Sequence, residues 1–267
     1  MTGVSYLDAV TNDLVGCTHG CGECWAREVC RRQALNPKLN LTPEQRERML
    51  KFLPTFLPQR LAALKKIPKG SVVGVCFTGD LFDPMVARLD RVMVLDEIAK
   101  NNRNAYIFLT KRPGTMALWF REDGNYDPQP NWFLGVSCRD QNELDAAAPH
   151  LRRLAAAGWK TWLSLEPLRG PVDAEGLLIP GYALSGVILG GPSGPKAWPI
   201  HPDDVRQVRD QCAEANVPFV YKQHSSKGWT TGETPTWSFH EGHPDSLPCI
   251  DGLTHWNLPW TLRKRGA

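Results

Sequence analysis

The 267-residue sequence contains no apolar run long enough to cross a bilayer, and its first residues lack the basic-then-apolar order of a secretion signal. The expectation is a cytoplasmic protein with no membrane contact. Charge of one sign is also missing. Lys and Arg number 31 against 28 Asp and Glu, a net of +3, which excludes a chain that holds nucleic acid by bulk charge alone. Local basic groups remain, at Arg31-Arg32, Lys65-Lys66, Arg152-Arg153 and Arg263-Lys264-Arg265, and the simplest role of each is a solvated surface. There is no internal repeat. There is also no repeated C-x2-C pair of the kind that completes a four-cysteine zinc site. In a reducing compartment the eight cysteines are expected to be buried or metal-bound rather than disulfide-linked.

What is present begins with a hydrophobic content of 42%, enough for one large domain or one domain with an extension. Ten tryptophans supply core material and, in exposed places, surfaces on which a base can stack. The most specific stretch is Gly16-Cys17-Thr18-His19-Gly20-Cys21-Gly22-Glu23-Cys24-Trp25. Three cysteines at C-x3-C-x2-C can wrap one metal centre, because thiolates need a cationic partner and the glycines let the loop turn tightly. Two sites satisfy that pattern. One is a [4Fe–4S] cluster on Cys17, Cys21 and Cys24 with one iron open to an outside ligand. The other is zinc, completed by Cys30 or His19.

Taken in order, the chain alternates apolar strands with helical segments. Expected strands lie near Thr11–Gly16, Ser71–Phe77, Ala105–Leu109, Trp132–Ser137, Lys160–Leu165, Gly186–Gly190 and Val217–Tyr221. Expected helices lie at Trp25–Leu35, from a Thr42-Pro43-Glu44-Gln45 start toward Leu64 with breaks at Pro54 and Pro58, and at Asp90–Lys100, Asn142–Ala157 and Pro202–Ala215. Some seven alternations predict an α/β fold with a parallel sheet. A (β/α) barrel of about six to seven strands, complete or partial, is the expected closure, and a doubly wound sheet is the alternative. The domain expectation is a barrel over 1–226 and an irregular C-terminal extension over 227–267.

In either architecture the working groups sit at the carboxyl ends of the strands. Those ends read Gly16-Cys17, Thr78-Gly79-Asp80, Thr110-Lys111-Arg112, Ser137-Cys138-Arg139, Glu166, Gly190-Gly191 and Lys222-Gln223-His224. Polar turns are common singly. Seven polar or small strand ends in succession point to a functional mouth.

C-x3-C-x2-C after a first strand resembles the signature of the radical S-adenosylmethionine (SAM) superfamily. One departure is visible: the aromatic usually placed just before the third cysteine is Glu23 here, and Trp25 follows instead. The resemblance implies a [4Fe–4S] cluster on Cys17, Cys21 and Cys24, with SAM on the fourth iron. It implies SAM cleavage to a 5′-deoxyadenosyl radical and a reducing partner such as flavodoxin or ferredoxin. It places Thr78, Gly79 and Asp80 at the SAM ammonium, Lys111 at its carboxylate, Ser137 at the ribose and Gly190 at the adenine.

A narrower resemblance runs in order from about residue 14 to 224. It is carried by Phe108-Leu109-Thr110-Lys111-Arg112-Pro113, Leu134-Gly135-Val136-Ser137, Leu163-Ser164-Leu165-Glu166-Pro167-Leu168, Ile188-Leu189-Gly190-Gly191-Pro192-Ser193-Gly194 and Phe219-Val220-Tyr221-Lys222-Gln223. These segments resemble a phage- and prophage-encoded three-cysteine family. One radical SAM isomerase type within it rearranges an N-linked glycyl group on thymine in phage DNA to the Cα-linked form. That resemblance implies a DNA substrate, Glu166 at the amine, and Arg112, Arg139 and Lys222 at a carboxylate or phosphate. The alternatives are a radical SAM methylase, lesion-repair lyase or peptide modifier, and a zinc-stabilised nucleic-acid-binding module without catalysis.

Overall fold

The computed structural model describes residues 4–122, 126–179, 184–239 and 246–260, so the basic triplet Arg263-Lys264-Arg265 lies outside the described residues. The chain divides into two compact units, 1–116 and 117–267.

The first unit opens with β1 (Ala9–Thr11) and β2 (Leu14–Val15), followed by α1 (Trp25–Leu35), α2 (Pro43–Leu50) and β3 (Thr55–Phe56). It continues with β4 (Val72–Val75), α3 (Arg88–Lys100) and β5 (Ala105–Thr110), and a short helix α4 (Pro113–Ala117) lies at its boundary. Strands β1, β4 and β5 pair in parallel in that order. A single first strand over Thr11–Gly16 is not what forms. Thr11 Oγ1 donates to the Asp13 carboxylate, and the Asp13 carbonyl accepts from Leu57 N–H at 2.7 Å. The chain therefore turns after β1, and β2 pairs antiparallel with β3 instead.

Local rules place the helices. Thr42 Oγ1 accepts from Gln45 N–H at 3.1 Å while Gln45 Oε1 accepts from Thr42 N–H at 3.0 Å, a reciprocal cap that starts α2. The helix stops at Leu50, with Phe52 at φ +57°, and the expected continuation toward Leu64 is a separate 3-10 segment, Pro58–Lys66. Proline at its first position has no N–H to leave unpaired.

The second unit carries β6 (Trp132–Cys138), α5 (Gln141–Ala156), β7 (Lys160–Leu165), β8 (Val187–Gly190), α6 (Pro202–Glu214) and β9 (Phe219–Gln223). Strands β6 to β9 pair in parallel in chain order, with every residue of β6 buried. With three parallel strands in one unit and four in the other, the seven strands belong to an α/β fold. The final segment is more regular than its composition suggests. Strands β10 (Thr236–Phe239), β11 (Ser246–Ile250) and β12 (Leu253–Thr254) form an antiparallel sheet. Residues 255–257 then run along β9, with Tyr221 N–H donating to His255 O at 2.9 Å and Asn257 N–H donating to Phe219 O at 3.1 Å.

Candidate functional site

In the first unit the cysteine loop leaves β2 at Gly16 and enters α1 after Cys24. Gly16 has φ +85°, and a Cβ there would sit 2.3 Å from Leu53 O, so only glycine fits. Gly16 N–H donates to Thr78 O at 3.0 Å, and Asp80 N–H donates back to Gly16 O at 3.3 Å. A Cβ on Gly79 would stand 2.8 Å from Gly16 O, so the approach of the two segments requires glycine on both sides. The structure thus brings the start of the cysteine loop against Thr78-Gly79-Asp80, the segment expected to hold the SAM ammonium.

None of the three loop cysteines is in a disulfide and all are partly exposed, whereas Cys30, Cys76, Cys138, Cys212 and Cys249 are buried. Cys17 and Cys24 rest against a core of Val15, Ala26, Cys30, Ala34, Met49, Phe52 and Leu57. The Cys30 thiol is turned toward Met49 O at 3.5 Å. His19 N–H donates to Cys17 Sγ at 3.3 Å, and His19 Nδ1 lies 3.2 Å from Cys21 Sγ. Burial pushes the Cys17 thiol up to about 12, against the pull of His19 N–H and with the charges of Asp80 and Asp83 adding to the rise. Among the described residues no three His, Cys, Asp or Glu side chains are drawn together as a metal group. The donor set nevertheless fits an iron–sulfur cluster. It offers three thiols outside any disulfide on one short loop, one already receiving a backbone N–H, and a Cys17 thiol that a cation would ionise.

Asp80 is buried and accepts from three donors in its own surroundings, one of them a hydroxyl shared between both carboxylate oxygens. Thr110 Oγ1 donates to Oδ1 and Oδ2 at 2.7 and 2.8 Å, Phe82 N–H to Oδ1 at 2.9 Å and Lys111 N–H to Oδ2 at 3.2 Å. Burial raises its pKa, and those donors pull the other way. Thr78 Oγ1 is buried nearby in sequence without a hydrogen-bond partner. Arg112 reaches Thr18 Oγ1 with Nη2 at 3.5 Å, and its buried Nε has no partner.

Sequence reasoning missed Asp83. Its Oδ2 accepts from both Thr18 N–H and Thr18 Oγ1 at 2.7 Å, and its Oδ1 accepts from Met85 N–H at 3.0 Å. Burial alone would raise its pKa, but the bonds from Thr18, Met85 and the Cys17 thiol outweigh it and hold the carboxyl below its ordinary value. The available signal was a second acid three residues beyond Asp80 in the same strand-end loop.

In the second unit the strand ends form their own cluster. Ser137 Oγ donates to Glu166 O at 3.1 Å. Glu166 Oε2 is 2.5 Å from Lys222 Nζ, and its Oε1 is 3.4 Å from Ser164 Oγ. Gly190 O accepts from Leu168 N–H at 3.0 Å, which ties the segment after Glu166 to the end of β8. Arg139, just before α5, is engaged by Glu143 of that helix: its backbone N–H and Nε each donate to Glu143 at 2.8 Å, and Nη2 adds a further bond. Trp198 Nε1 donates to Leu168 O at 2.9 Å under the Arg169 guanidinium. Trp229 is buried against Tyr221 and His224, whereas Trp237 is exposed beside His224.

The class so defined is an α/β protein with a three-cysteine loop docked on a strand-end Thr-Gly-Asp segment. The chain belongs to the family described as protein of unknown function (DUF5131), whose profile matches residues 1–255. No curated protein and no solved structure matches it.

Proposed function

We propose that this protein is a radical SAM enzyme that isomerises N-linked glycinyl-thymidine in phage DNA to its Cα-linked form. The observation that supports the reading best is the docking of Gly16, the residue before Cys17, on Thr78-Gly79-Asp80, the segment that the superfamily resemblance assigns to SAM. Cys17, Cys21 and Cys24 would hold the cluster, whose bound chemistry is the one-electron cleavage of SAM. The Thr78 hydroxyl and the surrounding backbone would receive the SAM ammonium, with Asp80 holding that loop rigid and supplying negative charge. Lys111 keeps the carboxylate role, and Ser137 and Gly190 keep the ribose and adenine roles, that the resemblance gives them. Of the three cations considered for the substrate's carboxylate or phosphate, Arg112 fits best, because Arg139 is engaged by Glu143 and Lys222 by Glu166. Glu166 would exchange its ammonium partner for the substrate's amine. The chain's tasks are then orientation and exclusion of water. Closure of the parallel strands as a partial or complete barrel, a cytoplasmic setting and a flavodoxin or ferredoxin donor belong to the same proposal.

Supplying anaerobically reconstituted protein with SAM, a reductant and DNA containing glycine-linked thymidine tests the proposal. An isomer of unchanged mass and shifted retention, with glycine α-deuterium passing into 5′-deoxyadenosine, is the expected product. SAM cleavage without that isomer removes the substrate and keeps the class. The proximity of His19 Nδ1 to Cys21 Sγ favours a second reading, a zinc-stabilised nucleic-acid-binding module. Near-stoichiometric zinc with no iron uptake would select it.

A further inference from the structure

We infer that Asp83 is the positioning residue of the cysteine loop, and that its carboxylate lowers the reduction potential of the metal centre held there. The inference rests on the proposed cluster. Asp83 has no solvent exposure, and its bond to Met85 N–H is an ordinary turn within its own loop. The two bonds from Thr18 are of another kind. They cross 65 positions of sequence and fix the residue directly after Cys17 by both its backbone and its side chain. Arg91 holds the Asp83 loop in turn, donating to Leu81 O at 2.9 Å and to Asp83 O at 3.2 Å. The cysteine loop is therefore clamped to the β4–α3 connection by a side chain that is not itself a ligand. Ligand geometry depends on such outer contacts almost as strongly as on the ligands. A carboxylate bonded to the residue next to a cluster ligand would also stabilise the more oxidised, less negative state, which moves the potential down. The Arg112 guanidinium, 3.5 Å from Thr18 Oγ1, opposes that effect.

The full-length chain with Asp83→Asn, and separately with Thr18→Val, is reconstituted anaerobically with iron and sulfide beside the wild type. Iron and sulfide per chain and the midpoint potential, followed by electron paramagnetic resonance, are read. Asp83→Asn is expected to lose at least about half of the iron and to shift the remaining cluster to a more positive potential. Thr18→Val, which keeps the N–H bond and the charge, is expected to lose less iron and to retain the wild-type potential. Wild-type loading and potential in Asp83→Asn overturn the inference and leave the cluster reading standing. If Asp83→Asn does not fold, as judged by circular dichroism, unchanged iron content in Thr18→Val overturns it. If the wild type takes up zinc and no iron, the functional reading falls, and undiminished zinc in Asp83→Asn removes the positioning role as well.

Discussion

Lys222 Nζ lies 2.5 Å from Glu166 Oε2, and the contact joins β9 to the residue that follows β7. Both side chains are mostly buried, at 19% and 16% exposure, so the pair escapes most of the screening that weakens surface ion pairs. A substrate amine that binds Glu166 must displace or share this ammonium.

Removing one partner leaves a charge in a poorly hydrated place. Glu166→Ala and Lys222→Ala are each expected to cost about 2–4 kcal/mol, and the double variant less than their sum by at least about 1 kcal/mol. Urea unfolding of the four proteins measures the coupling. Strict additivity would show that the contact carries no energy.

Asp80→Ala deprives the Thr110 hydroxyl and the N–H groups of Phe82 and Lys111 of their acceptor. Stability should fall by at least about 2 kcal/mol. SAM affinity should fall about ten- to a hundred-fold, because the Thr78-Gly79 segment loses its brace and the SAM ammonium loses a nearby carboxylate, together about 1.5–3 kcal/mol. Iron content should fall less than SAM affinity does. Equilibrium dialysis with labelled SAM on iron-matched samples decides the point, and unchanged affinity rejects the assignment.

Arg112→Gln should weaken binding of glycine-linked thymidine by about tenfold or more while SAM cleavage in its absence is preserved. Arg112→Lys should restore little, since an ammonium lacks the planar fork that grips a carboxylate. A parallel loss of SAM affinity would move Arg112 from the substrate to SAM.

Burial raises Asp13 to about 6, with its own backbone N–H and Arg60 pulling it down and Glu97 pushing it up. The folded chain therefore keeps this proton to higher pH than the unfolded chain. Asp13 favours folding most below about pH 4, and that contribution drains away as pH rises to about 6, by on the order of 3 kcal/mol. Asp13→Asn should flatten the stability profile between pH 4 and 7 relative to wild type by about that amount. Denaturant midpoints across this range test it, and identical slopes contradict it.

The parts of the fold legible in the sequence are those fixed by neighbours in the chain. Trp25–Leu35 and Lys160–Leu165 fall where periodicity and breakers put them, and the Thr42 cap follows from four consecutive residues. The Gly16–Gly79 contact was half legible, since both glycines stood at strand ends without any sign of their pairing. Asp83 and Asp13 were opaque because their significance comes from Thr18 and Leu57, far along the chain. The sheet of β10 to β12 was hidden for a related reason. Its pairing joins two segments rich in turn-forming residues, and a proline stands inside β11.

Strand β9 is the last in the order of its sheet, and residues 255–257 lie along its free side. An uncovered flank of this kind is sticky, because its bare amides and carbonyls accept any extended chain that arrives. A shortened protein ending near residue 230 would keep the strand ends with Glu166 and Lys222 yet offer this flank to its own copies. Its failure would appear first as turbidity and filaments rather than as lost chemistry.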